Sequence, residues 1–207
     1  MMHTRQSQDR PASDAAAQMS EWVVQAQAGD QTAFHRLVDR FQPEIYRMIY
    51  YRTRSQVDAE DLTQDVFLKA FKNLKRLESA AVFRSWLYRI AVNRVYDHFR
   101  KKRLKALVGF SSLDEDDFVE TEEMAVAPEA SREMARKEFW IRVKQAMKAL
   151  SKMEREVFML RFFDQLSIKE MTATLKKNEN TVKTHLYRAM NKIKDDLADM
   201  DGLLEGL

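Results

Sequence analysis

A reversal of charge in mid-chain most constrains how this protein can fold. From Arg84 to Lys105 there are eight basic residues and one acid, Asp97, and from Ala106 to Ser131 there are eight acids and no base. Neither block can be buried whole, because clustered like charges repel and lose hydration. The acidic stretch LVGFSSLDEDDFVETEEMAVAPEA carries Gly109 and Pro128 and no sustained apolar period, which marks an extended linker. The chain is therefore expected to form two bodies with this segment between them.

Both bodies are expected to be helical. Only four Gly and three Pro interrupt 207 residues, and the remainder is rich in helix-forming Leu, Ala, Met, Glu, Lys and Arg. The fold class is thus all-α. Ser20 is expected to cap a helix ending at Gly29, and Asp30 to cap the next, with Pro43 interrupting or restarting it. Asp58 is expected to open a helix to about Arg76, and another should cover about Ala81 to Lys105. Helices resume near Arg132 and run to about Leu150. Two S-x-x-E capping boxes, Ser151 with Glu154 and Ser167 with Glu170, mark two helix starts. The last helix is expected from near Asn178 to about Asp199. The division is a disordered tail over 1–19, a helical domain over 20–105, the acidic linker over 106–131 and a second helical domain over 132–207.

The residue inventory excludes several classes of function. There is no Cys, so disulfides, zinc thiolate sites and a cysteine nucleophile are ruled out, and a reducing, cytoplasmic setting fits. His3, His35, His98 and His185 lack paired ligand spacing, so no metal is expected. No apolar run approaches the length of about 18 residues that spans a membrane, and the start lacks the apolar core of a signal peptide. With no paired-carboxylate site and no phosphate loop, neither an enzyme nor a cofactor is expected.

Three surfaces carry the functional signal. In SIKEMTATLKKNENTVKTHLYRAMNKIK the pattern is helix, short turn, helix, with small Ala173 placed at the crossing. On the second helix Val182, Leu186, Ile193 and Leu197 form the buried stripe. Thr181, Lys183, Thr184, Tyr187, Arg188 and Asn191 lie opposite, and Asn180 to Lys194 holds four basic residues and no acid. Such side chains contact phosphates and base edges in a major groove.

The second surface is FRSWLYRIAVNRVYDHFRKKR, which interleaves aromatic residues with seven Lys or Arg. At about 100° per residue, Arg89, Asn93, Tyr96 and Arg100 share a narrow sector, and Trp86 and Phe99 fall toward the core. Arginine beside an exposed tyrosine suits single-stranded nucleic acid, with stacking of about 1–3 kcal/mol per base. The third surface lies in DAEDLTQDVFLKAFKNLKR. Thr63, Val66, Phe67, Ala70, Phe71, Leu74 and Leu77 form its core face. Asp61, Gln64, Asp65, Leu68 and Lys72 lie opposite, and a leucine ringed by acids suits a protein partner.

Together, DAEDLTQDVFLKAF, FRSWLYRIAVNRVYDHFRKKR and LSIKEMTATLKKNENTVKTHLYRA resemble, in order, the bacterial RNA polymerase sigma factors of the extracytoplasmic-function group. The resemblance implies a sigma-two-like domain that binds core polymerase and opens the minus-ten element. It also implies a sigma-four-like domain that reads the minus-thirty-five element as duplex and touches the polymerase flap. By that likeness Asp61, Gln64, Asp65 and Leu68 meet the polymerase clamp helices. Asn93 lies at the pocket for a flipped minus-ten base, with Arg89, Tyr96, Arg100 and Arg103 beside it. Asn180, Thr181, Lys183, Thr184, Tyr187 and Arg188 take the recognition positions. Many relatives have a Gly-containing turn before the F-x-x-W segment, in a loop that helps shape the base pocket, where this chain has ESAAV. Asn180 and His185 stand where glycine and arginine are frequent. An anti-sigma partner, often membrane-tethered, is also implied, with no direct insertion of this chain. The alternative is a stand-alone helix-turn-helix regulator of duplex operator DNA.

Overall fold

The computed structural model describes residues 10–108 and 145–204, with side chains over 16–104 and 145–195. The chain divides into two compact units, Met1–Phe118 and Val119–Leu207. The division falls in the acidic stretch, and the expected linker beyond Val108 and the helix expected from Arg132 to residue 144 lie outside the described residues.

The first unit contains α1 (Arg10–Gln27), α2 (Gln31–Thr53), α3 (Gln56–Asn73) and α4 (Phe83–Val108), with short 3-10 turns at Leu74–Arg76 and Ala80–Val82 between α3 and α4. Gly29 ends the α1 connection at φ 106°, a left-handed value that costs glycine nothing. Asp30 Oδ1 then accepts from the backbone N–H groups of Thr32 and Ala33, at 2.8 and 3.1 Å, and so caps α2 as expected.

Four expectations about these helices need correction. Helix α1 begins at Arg10, inside the expected tail, and Ser20 Oγ donates to Ala16 O within it. The run RPASDAAAQ places Pro in the first turn and alanines behind it, which favours helix without a cap at Ser20. Helix α2 passes through Pro43 unbroken. An interior proline costs about 3 kcal/mol. Burial of Phe34, Leu37, Phe41, Ile45, Met48 and Ile49, at roughly 1.5–3 kcal/mol each, outweighs it. Helix α3 is capped by Ser55, whose side chain accepts from Asp58 N–H, so it starts ahead of Asp58. Finally, α4 continues to Val108, three residues past the expected end.

The core of this unit gathers Val23 and Ala26 of α1, the α2 stripe, Ala59, Thr63, Val66, Phe67 and Ala70 of α3, and Phe83, Leu87, Tyr88, Ala91 and Val95 of α4. Phe41 meets Phe83 with ring centroids 5.4 Å apart. Phe71, expected in this core, is 51% exposed, and Trp86 and Phe99 are only half-buried.

In the second unit a 3-10 turn at Met147–Ala149 leads to α5 (Lys152–Phe162), α6 (Ile168–Leu175) and α7 (Glu179–Leu204). Both capping boxes form: Ser151 and Ser167 each accept from the glutamate N–H three residues on, and each glutamate side chain accepts in return. The core consists of Leu150, Val157, Phe158, Leu160, Leu166 and Met171, closed by Val182, Ala189 and Ile193 of α7. Leu186 is half-buried, and the side chain of Leu197 lies outside the described residues. Ala173, expected at the helix crossing, is exposed; Met171 and Thr174 are buried instead. No helix among the described residues is long and apolar enough to cross a membrane.

Candidate nucleic-acid and polymerase interfaces

Helix α4 is enclosed on most sides over its first half. Leu87, Tyr88, Ile90, Ala91, Val92 and Val95 are all buried, as a helix apolar nearly all round must be. The few open positions therefore stand out. Asn93 is exposed between half-buried Arg89 and Tyr96, and Arg100 and Arg103 are exposed further along. Spacings of four, three, four and three put all five on one ridge. Tyr96 is less open than expected and has contacts of its own.

Part of the positive charge of α4 is engaged within the unit. Arg84 Nη2 lies 3.4 Å from Glu44 Oε2, and its guanidinium sits 5.1 Å from the centroid of the Tyr88 ring. Arg94 Nη1 reaches 4.0 Å from Asp65 Oδ2. On the open ridge, Arg100 Nη2 pairs with Asp97 Oδ1 at 3.1 Å. An exposed pair of this kind contributes about 0–1 kcal/mol, so an approaching phosphate can take the arginine at little cost.

Helix α3 presents Asp61, Gln64, Asp65 and Leu68, all exposed, with Leu68 at 51%. Beside them runs a groove of about 410 Å³ between α2 and α3, lined in part by Phe34, Val38, Gln64, Phe67, Leu68 and Phe71. Phe71 packs edge-on to Phe34, centroids 5.0 Å apart, and so forms the groove wall. The sequence reading missed this groove. The available signal was Leu68 and Phe71 at i and i+3, an apolar strip wider than one core face requires.

The second unit builds a helix-turn-helix from α6 and α7. Helix α6 ends at Lys176 in the left-handed region, φ 52°, and Asn178 Oδ1 accepts from Thr181 N–H at 2.7 Å to start α7. Asn180, Lys183, Thr184, Tyr187 and Arg188 are exposed, with Tyr187 at 66%, and Thr181 is half-buried. Lys183 is ion-paired with Glu179 one turn earlier. Fully buried Ala189 was not foreseen, although it lies seven residues after Val182 and four before Ile193, on the same stripe. Lys192 Nζ reaches across to Glu154 Oε2 at 2.8 Å. The Lys192 ammonium and the Ser151 N–H hold the Glu154 carboxyl down at about 2, against burial, which opposes them. This tie joins α7 to the cap of α5.

Residues 37–105 match Sigma-70 region 2, and residues 140–193 match Sigma-70, region 4. The "ECF RNA polymerase sigma factor BldN" of Streptomyces coelicolor is 35% identical over 193 residues, 92% of this chain and 70% of that protein. The chain belongs to the ECF RNA polymerase sigma factors.

Two solved structures share its fold. CnrH, solved in complex with the cytosolic domain of CnrY, superposes with a TM-score of 0.63 at 26% identity, covering 89% of this chain and 99% of that one. The sigma factor RpoE of Bartonella quintana, solved in complex with the anti-sigma factor NepR, has the same fold, with a TM-score of 0.62 at 21% identity over 80% of this chain and 96% of that one. As a sigma factor the protein binds core RNA polymerase and promoter DNA and catalyses no covalent step. The first unit, matched as region 2, sets aside the stand-alone operator regulator. The open ridge of α4 and the acidic face of α3 fall in that region, and the exposed side of α7 falls in region 4.

Proposed function

We propose that the α4 ridge of this sigma factor holds the non-template strand of the minus-ten element once it has left the duplex. Asn93 pairs with the edge of an extruded base, Tyr96 offers part of its ring, and Arg89, Arg100 and Arg103 neutralise backbone phosphates. Extruding a base costs a few kcal/mol, which pocket contacts and counterion release offset. The supporting observation is Asn93 itself, an exposed amide on a helix otherwise enclosed over that length.

The exposed side of α7 reads the minus-thirty-five element as duplex. Lys183, Thr184, Tyr187 and Arg188 reach base edges, while Asn180 and Thr181 lie beside the backbone at the helix N-terminus, where N–H groups favour phosphate. Asp61, Gln64, Asp65 and Leu68 meet the clamp helices of core polymerase, since acids at that position repel DNA and a half-open leucine suits a protein. The second unit also contacts the flap. An anti-sigma factor restrains the protein in the cytoplasm, in some states at the membrane; the complex of CnrH with a cytosolic domain of CnrY supports such a partner.

The test is to add the purified protein to sigma-free core polymerase and map start sites on genomic DNA. New starts sharing two upstream elements are expected. No starts, with tight binding to duplex DNA alone, would refute the reading.

A further inference from the structure

None of these interfaces uses α1, and the region 2 match begins only at residue 37. Yet α1 packs against both 3-10 turns that join α3 to α4. Gln27, its last residue, makes a polar tie there. Its Nε2 donates to Leu74 O at 3.0 Å and to Leu77 O at 2.8 Å. Both hydrogens of the amide are thereby engaged. Leu74 O also accepts from Leu77 N–H at 3.0 Å, so the tie lands on the turn from which the chain departs into residues 78–82.

The far end of that loop is pinned as well. Ser85 Oγ donates to Val82 O at 3.0 Å, and Val82 N–H donates to Ser79 O at 3.3 Å. Between the two pins, Glu78, Ser79, Ala81 and Val82 are exposed. A loop fixed at both ends and open in the middle presents a defined surface. It also stands at the head of the α4 ridge, because Val82, Trp86, Arg89 and Asn93 follow at spacings of four, three and four. From Trp86 to Asn93 the helix rises about 10 Å, enough to seat a base between the loop and the amide.

We propose that Gln27 is a positioning residue for the choice of minus-ten letter. Its amide sets the path of residues 78–82, and that loop with Trp86 forms the wall against which the base held by Asn93 is read. Gln27 itself touches no DNA. The inference rests on the strand-holding reading of α4.

The test uses holoenzymes reconstituted with the full chain and a promoter library randomised across both elements. Gln27→Met keeps the length and removes both donors, Gln27→Glu sets a carboxylate against two carbonyls, and Gln27→Lys returns donors. Met and Glu are expected to shift the preference at a minus-ten position by up to about tenfold, the effect of a lost hydrogen bond. Minus-thirty-five preference and affinity for core should not move, and Lys should restore the parental letters. Parental minus-ten preference in the Met variant would overturn the proposal. So would an equal loss at every position of both elements, the signature of a merely structural role. Asn93→Ala on the same library separates the two layers. If it also leaves minus-ten preference unchanged, the strand-holding reading fails; if it alone changes the preference, only the inference about Gln27 fails.

Discussion

Replacing Lys192 by Met should loosen the recognition helix without removing any side chain assigned to DNA. Glu154 is 5% exposed, and its carboxylate is held by Lys192 Nζ at 2.8 Å and by Ser151 N–H at 2.9 Å. A hydrogen bond to a charged group contributes roughly 1.5–3 kcal/mol. The Lys192 side chain is 45% exposed, so water screens its charge and the lower end, about 1.5 kcal/mol, applies. The larger penalty of an abandoned buried charge is not reached, because Ser151 still donates. Unfolding of the full chain in urea, followed by hydrogen exchange of the second-unit amides, measures the loss. The acid limb gives a second reading. A carboxyl depressed in the folded state contributes stability that is fully present above its unfolded pKa, about 4.3, and is lost as pH falls toward the folded value, here about 2. Met removes the largest cause of that depression, so the variant, already less stable at neutral pH, should lose less stability on acidification, and the loss should be complete at a higher pH than in the parent. An unchanged second-unit midpoint at neutral pH together with an unchanged acid profile would refute the reasoning.

Other consequences follow from the same geometry. Leu68→Ala, at the rim of the α2–α3 groove, should weaken binding to core polymerase by about tenfold while leaving the unfolding midpoint in place; equal affinity would remove Leu68 from the interface. Arg188→Ala should cost about 1–3 kcal/mol in binding to minus-thirty-five duplex if it reads a base, and a uniform loss across all sequences would reassign it to phosphate. Ser167→Ala removes half of a formed capping box and should lower second-unit stability by about 1 kcal/mol, read as a lower urea midpoint; no shift would mean that tertiary packing alone holds the start of α6.

What could be read from the sequence was short-range or periodic. The caps at Asp30, Ser151, Ser167 and Asn178 each need only a side chain and an N–H two or three residues on, so local spelling specifies them. The α4 ridge was legible because burial of the rest of that helix leaves a narrow sector for polar residues. Features settled by distant contacts were not legible. Pro43 looks like a breaker until the burial flanking it is known, and Phe71 looks like core until the groove beside Phe34 is known. The Gln27 tie joins residues 47 and 50 positions apart, beyond any local pattern. Trp86 and Tyr96 were assigned opposite fates from their helical angle, yet both are half-buried, since each sits at the border between packed and open sectors.

The central claim is that Asn93 holds a strand of melted DNA, and opening at the minus-ten element tests it most directly. Holoenzymes carrying the parent or Asn93→Ala can be compared by the permanganate reactivity of unpaired thymines, alongside their affinity for core polymerase. The account predicts strong reactivity with the parent and a marked loss with the variant at unchanged core affinity. Equal reactivity for the two would contradict it.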